Sequence, residues 1–96
     1  MALPAVYVFE WDEINTEHVA EHGISDIEVE QMLSNPHIVV PNRGHEPRMF
    51  LLGRSNGGRA LVVVIEPTRV EGTWRPITAW DANASEVKRL KEATGA

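Results

Sequence analysis

Arg59-Ala-Leu-Val-Val-Val-Ile-Glu66 is the longest uninterrupted apolar run in the chain, and three consecutive valines sit inside it. Side chains branched at Cβ suit an extended backbone, and a short apolar run without polar alternation reads as a strand buried on both faces. Such a strand has no solvent face, so other elements must pack above and below it. The helical segments near the two ends of the chain are the ones available. Leu61 to Ile65 is therefore expected at the centre of a sheet.

Outward from this run the punctuation is clear. Asn56-Gly57-Gly58 is a hairpin signal, because these residues tolerate positive φ, and it joins the run to a preceding strand over Arg48 to Ser55. The loop Pro41 to Pro47 separates that strand from a short one at Ile38-Val39-Val40. After Pro67 a polar turn through Gly72 leads to Thr73–Trp80, where Pro76 cannot donate a ladder hydrogen bond and predicts an edge position or a bulge. Val6 to Phe9 reads as a first strand. Thr16 to His22 predicts a short helix capped by Asn15 and stopped by Gly23.

Ser25 with Glu28 three residues on is a capping box, and Ile24 and Val29 are spaced for a hydrophobic staple. That second helix ends at Asn35-Pro36. Asp81, Asn83 and Ser85 each offer a cap for a last helix through about Glu92, with Val87 and Leu90 on one side and Gly95-Ala96 fraying. The order implies an α+β fold: a mainly antiparallel sheet with two N-terminal helices and one C-terminal helix, one domain over residues 1–96.

Ninety-six residues with 43% hydrophobic and 24% charged content suit one core. Without cysteine there is neither a disulfide nor a thiolate nucleophile or ligand. No apolar run approaches transmembrane length and Met1 to Pro4 is too short for a signal peptide, so a cytoplasmic protein is expected. The net charge of −5 is unevenly placed. Glu10 to Glu30 holds eight acids and no Lys or Arg, whereas Arg43 to Arg59 holds four arginines against Glu46 alone. One surface should repel polyanions and another could hold one, while the average acidity argues against direct DNA binding.

His18 and His22 would share a helix face, yet no HExxH pattern or third ligand accompanies them, and no metal is expected. Arg48 and Arg54 are both even-numbered, so one strand puts them on one face, with Arg59 across the hairpin and Arg75 on the next strand. Guanidinium groups fit phosphate oxygens and can stabilise a phosphorane. Singly, each is an ordinary strand-end arginine; together on one surface they would not be. Of Trp11, Trp74 and Trp80, the first reads as core, and Trp80 beside Asp81 reads as a functional or interface residue. The pair of helices before Leu33 does not read as a DNA-binding helix-turn-helix, because Asp26, Glu28 and Glu30 would meet the phosphates.

Taken together, Phe9-Glu10-Trp11-Asp12, His22-Gly23-Ile24-Ser25, Leu52-Gly53-Arg54-Ser55, Gly58-Arg59 with its valines, and Arg75-Pro76-Ile77-Thr78-Ala79 resemble the BrnT-type toxins. These are small ribonucleases of bacterial type II toxin-antitoxin pairs with a RelE-like fold. The resemblance implies metal-independent RNA cleavage without a cofactor. It also implies inactivation by a bound antitoxin that carries a DNA-binding part. On the matching positions it implies catalytic roles for His22, Arg59, Arg75 and Thr78: His22 in acid–base work, the arginines on phosphate and Thr78 in orientation. Arg48, Arg54 and Trp80 would bind substrate, and Glu86 matches a family glutamate that could serve as another base. The sequence departs from the family pattern where Trp80 replaces an arginine, Leu90 a tyrosine and Asn15 a lysine.

The first expectation is thus an endoribonuclease toxin with a degraded signature. The rival is a catalytically impaired protein-binding module on the same fold, and a third is a small metal enzyme built on His18 and His22.

Overall fold

A computed structural model of the chain describes residues 5–96; Met1 to Pro4, where no signal peptide is expected, lie outside them. The elements run β1 (Val8–Phe9), α1 (Glu13–Ala20), α2 (Asp26–Met32), β2 (His37–Pro41), β3 (Met49–Arg54), β4 (Ala60–Pro67), β5 (Thr73–Asp81) and α3 (Ala84–Thr94). The sheet order is β1-β5-β4-β3-β2, antiparallel except for the β1–β5 pair, so the fold is α+β with β4 in the middle. Among the described residues no helix is long and apolar enough to cross a membrane.

Alternation along β4 divides its apolar run between two layers. Leu61, Val63 and Ile65 face a larger core shared with Val19 of α1 and Val29 and Met32 of α2. Val62 faces a smaller one with Leu52 of β3 and Leu90 of α3, flanked by half-buried Ile38, Phe50 and Trp80. Leu61 to Ile65 are all buried, each contributing about 1.5–3 kcal/mol relative to exposure. At Gly53 of β3 both the neighbouring strand and the helix layer come close: a Cβ there would stand 3.0 Å from Cβ of His37 in β2 and 3.5 Å from Cε of Met32 in α2.

Capping boxes set the start of every helix. Ser25 and Glu28 cap α2 as their spacing predicts, and Asn83, with Glu86, is the cap that α3 takes. α1 differs from expectation. Its cap is Asp12, and Asn15 is the third residue of the box, so the helix starts one turn earlier than a cap at Asn15 would place it. Asn15 is drawn inward because its amide has a second task. It is almost fully buried, and its Nδ2 donates to the carbonyl oxygens of Glu10 and Pro76, both at 2.9 Å.

The Pro76 carbonyl lies at the one irregularity of the β4–β5 ladder. Register is regular from Leu61↔Asp81 to Val64↔Thr78, and then Ile65 meets Pro76, leaving Ile77 as the extra residue of a bulge. Pro76 is therefore inside a bulged strand, one of the two positions its missing N–H permits. The bulge inverts the facing of everything before it. Trp74 and Pro76 turn into the larger core, and Arg75 turns to the opposite face as the partner of Glu66.

Replacing Asn15 with Leu removes the side chain that accepts from the Asp12 amide in the α1 box and leaves two backbone carbonyls without this donor. We expect a loss of about 2–3 kcal/mol, measured as a lower urea midpoint at unchanged slope.

Candidate functional site

The sequence-predicted residues fall into two groups at opposite ends of β4. From Arg59 to Glu66 the strand advances about 23 Å. Arg59 lies on the side of α1 and α2, and Arg75, the cross-strand partner of Glu66, lies on the other. The structure does not bring His22, Arg59, Arg75 and Thr78 around one phosphate. His22 is exposed in the turn after α1, next to Gly23, whose carbonyl oxygen accepts a 2.9 Å hydrogen bond from Nη1 of Arg59. Thr78 and Trp80 share a face with Arg75.

Arg59 is held from three directions. Its Nε and Nη2 donate to the two carboxylate oxygens of Asp81 at 2.7 and 3.0 Å, and Nη1 reaches both oxygens of Glu28 at 3.2 Å. This planar fork ties the hairpin, the N-terminus of α2 and the end of β5 together. Asp81 first, then Glu28, raises the guanidinium further above its ordinary pKa. Arg59 in turn holds the Asp81 carboxyl below the usual range, and Glu28 is lowered by the Ser25 backbone amide and then by Arg59.

The other end of β4 carries a row of alternating charge. On the face of Val62, beyond Trp80 and Phe50, come Val64 and Thr78, and then Arg48, Glu66 and Arg75 across three strands. Arg48 Nε stands 3.2 Å from Glu66. Arg75 Nη2 stands 2.8 Å from Asp12, and its Nη1 is 3.7 Å from Glu10. The Asn15 backbone amide, and after it Arg75, keep the Asp12 carboxyl below the usual range. Arg75 also lines an open cleft of about 480 Å³ with Arg69 and Glu10. Three guanidinium groups thus lie at this end with three carboxylates and the Thr78 hydroxyl.

The remaining expected residues have structural surroundings. Arg54 shares a face with Arg48, but at the far end of β3, where it donates to the Gly58 and Ala96 carbonyl oxygens. Trp80 is half-buried, edge-on to Phe50 with ring centroids 6.1 Å apart, and Leu90 is buried beneath it in the smaller core. Glu86 accepts from the Asn83 backbone at 2.8 Å as part of the α3 box. His18 is exposed on α1. Among the described residues no group of three or more His, Asp and Glu side chains is placed to hold a metal ion.

Glu66, Arg69, Glu10 and Asp12 are absent from the sequence-derived set. Glu66 had a signal: counting outward from the Asn56–Gly58 hairpin puts Arg48 opposite it, on the register that Arg54↔Ala60 continues. Arg69 lies in a turn, where no periodicity announces its direction.

Because both Arg59 partners have lowered pKa values, their contribution to stability is present above the ordinary carboxylate range near pH 4 and lost as pH falls through the folded values. Arg59→Gln should destabilise the fold by about 1 kcal/mol at neutral pH, the side chains being partly solvated. Urea unfolding should show this deficit shrinking between about pH 5 and pH 3.

A match to the whole middle of the chain accompanies this geometry. Residues 11–86 fit the family described as "Ribonuclease toxin, BrnT, of type II toxin-antitoxin system". A comparison with individually curated proteins gave no match. The matched span runs from Trp11 to Glu86 and takes in both arginine networks apart from Glu10, the bulge between them and every strand from β2 to β5, and on that breadth the chain belongs to the BrnT family of type II toxin-antitoxin ribonuclease toxins.

Proposed function

We propose that this chain is a single-domain endoribonuclease toxin that cleaves RNA without a metal ion and is neutralised by a bound antitoxin carrying a DNA-binding part. The observation that supports this reading is the grouping of Arg48, Arg69 and Arg75 beside Thr78 at the Glu66 end of β4. No helix N-terminus or backbone nest is needed there, because guanidinium forks supply planar donors for phosphate oxygens. The ion pairs that occupy them are partly solvated, so an RNA phosphate competes with carboxylates held by modest energies.

In this mechanism Arg75 and Arg69 hold the non-bridging oxygens of the scissile phosphate. Glu66 takes the proton from the ribose 2′-hydroxyl, whose oxygen attacks phosphorus. The bond to the 5′-oxygen breaks, that oxygen takes a proton from water, and a 2′,3′-cyclic phosphate remains. The arginines stabilise the added charge of the phosphorane, a role worth several kcal/mol in other enzymes. Thr78 orients the phosphate, Arg48 keeps Glu66 in place, and Trp80 with Phe50 borders the RNA path. Arg54 lies along the same face. Arg59 serves the fold, and His22 stands outside the reacting group.

Arg75→Ala and Glu66→Gln should each lower RNA cleavage by about 10²-fold or more, with the thermal melt near that of the wild type. His22→Ala should retain cleavage, and a chelator should leave the rate unchanged. Loss of cleavage in His22→Ala with the fold intact would move the chemistry to the Arg59 end. Intact RNA with the unmutated protein would leave the impaired protein-binding module as the better reading.

A further inference from the structure

The outer surface of α1 and α2 is unused by the site described above. Trp11 sits between the two helices, its Nε1 donating to Glu30 at 2.9 Å and its ring edge-on to Phe9. An open cleft adjoins it on each side. One, of about 570 Å³, runs along α1 past Glu13, Glu17 and Ala20. The other, of about 480 Å³, runs along α2 past Asp26 and Ile27. Ile27, which lines the second, is 64% exposed. An isoleucine and an indole flanked by grooves form an apolar track, the kind of surface that a partner covers.

Charge selects the occupant. Of the eight acids between Glu10 and Glu30, Arg75 takes Glu10 and Asp12, and Arg59 takes Glu28. Glu13, Glu17, Glu21, Asp26 and Glu30 have no Lys or Arg partner among the described residues. Phosphates are repelled by such a rim, and a protein segment bearing Lys and Arg around apolar side chains is attracted. Membership of a type II family independently implies a protein antitoxin.

We infer that the Trp11 groove across α1 and α2 is the docking surface for a basic, apolar segment of the antitoxin. This rests on the toxin reading, and it separates antitoxin binding from the RNA-facing side of the sheet. Apolar anchors fill the clefts beside Trp11 and Ile27, and the acidic rim speeds and orients encounter.

The test uses the full chain and its purified cognate antitoxin, with binding followed by calorimetry at two salt concentrations. Glu13→Lys/Glu17→Lys and, separately, Ile27→Lys change only exposed side chains, and Glu71→Lys in the β4–β5 turn is the control. Both groove variants should weaken antitoxin binding about tenfold or more, and the control should not. RNA cleavage should be unchanged in all of them and should escape antitoxin inhibition only in the groove variants. Thermal melts establish that each variant is folded. Unchanged affinity in both groove variants overturns the inference, as does no binding of antitoxin to the unmutated chain. Light scattering on the isolated chain closes the remaining case. A dimer that only the groove variants dissociate, with antitoxin affinity intact, would make a second copy the occupant and overturn the inference. If the unmutated chain leaves RNA whole yet binds antitoxin through the groove, the catalytic reading fails and the docking surface stands.

Discussion

The amide of Asn15, buried between α1 and the kink in β5, is the contact on which the placement of charge depends. One NH₂ group donates to two carbonyls, those of Glu10 and Pro76, one just past β1 and the other at the bulge of β5. A bulge exposes backbone to an unfilled bonding requirement, and inside a core that requirement is costly. Here the donor arrives from the first turn of a helix whose own start is fixed by Asp12. The same small region therefore fixes the entry of α1, the end of β1 and the facing of β5. An asparagine suits this better than a lysine, which would have to bury a charge.

Arginine placement shows how one residue type serves fold and chemistry at different depths of ion pairing. Arg59 engages all three of its nitrogens with Asp81, Glu28 and a carbonyl, leaving little for a ligand. Arg48 and Arg75 are paired more loosely, the latter with one contact at 2.8 Å and one at 3.7 Å. Partly solvated pairs of this type contribute no more than about 1 kcal/mol, little enough for a polyanion to displace. The sheet itself keeps the two systems apart, one above it and one below.

Much of the architecture was legible because local rules and periodicity agree. The valine run announced β4, Asn56-Gly57-Gly58 its hairpin, and Ser25 with Glu28 the second helix. The family was legible from short pieces in the right order, and residues 11–86 match it. What eluded sequence reasoning was non-local. Pro76 pointed to an edge or a bulge but could not say that Arg75 would be turned away from the core as a result. Nothing near Arg59 in the chain shows that Glu28 and Asp81 would close on it. Asn15 looked like a cap because asparagine favours that position; burial and a distant carbonyl decided otherwise.

Asp12 belongs to both surfaces at once. It caps α1, borders the cleft beside Trp11 and holds Arg75 at 2.8 Å. Its Oδ1 accepts from the Asn15 backbone amide while its Oδ2 stands 2.8 Å from Nη2 of Arg75, so one carboxylate joins the start of the helix layer to the charged row on the far face of the sheet.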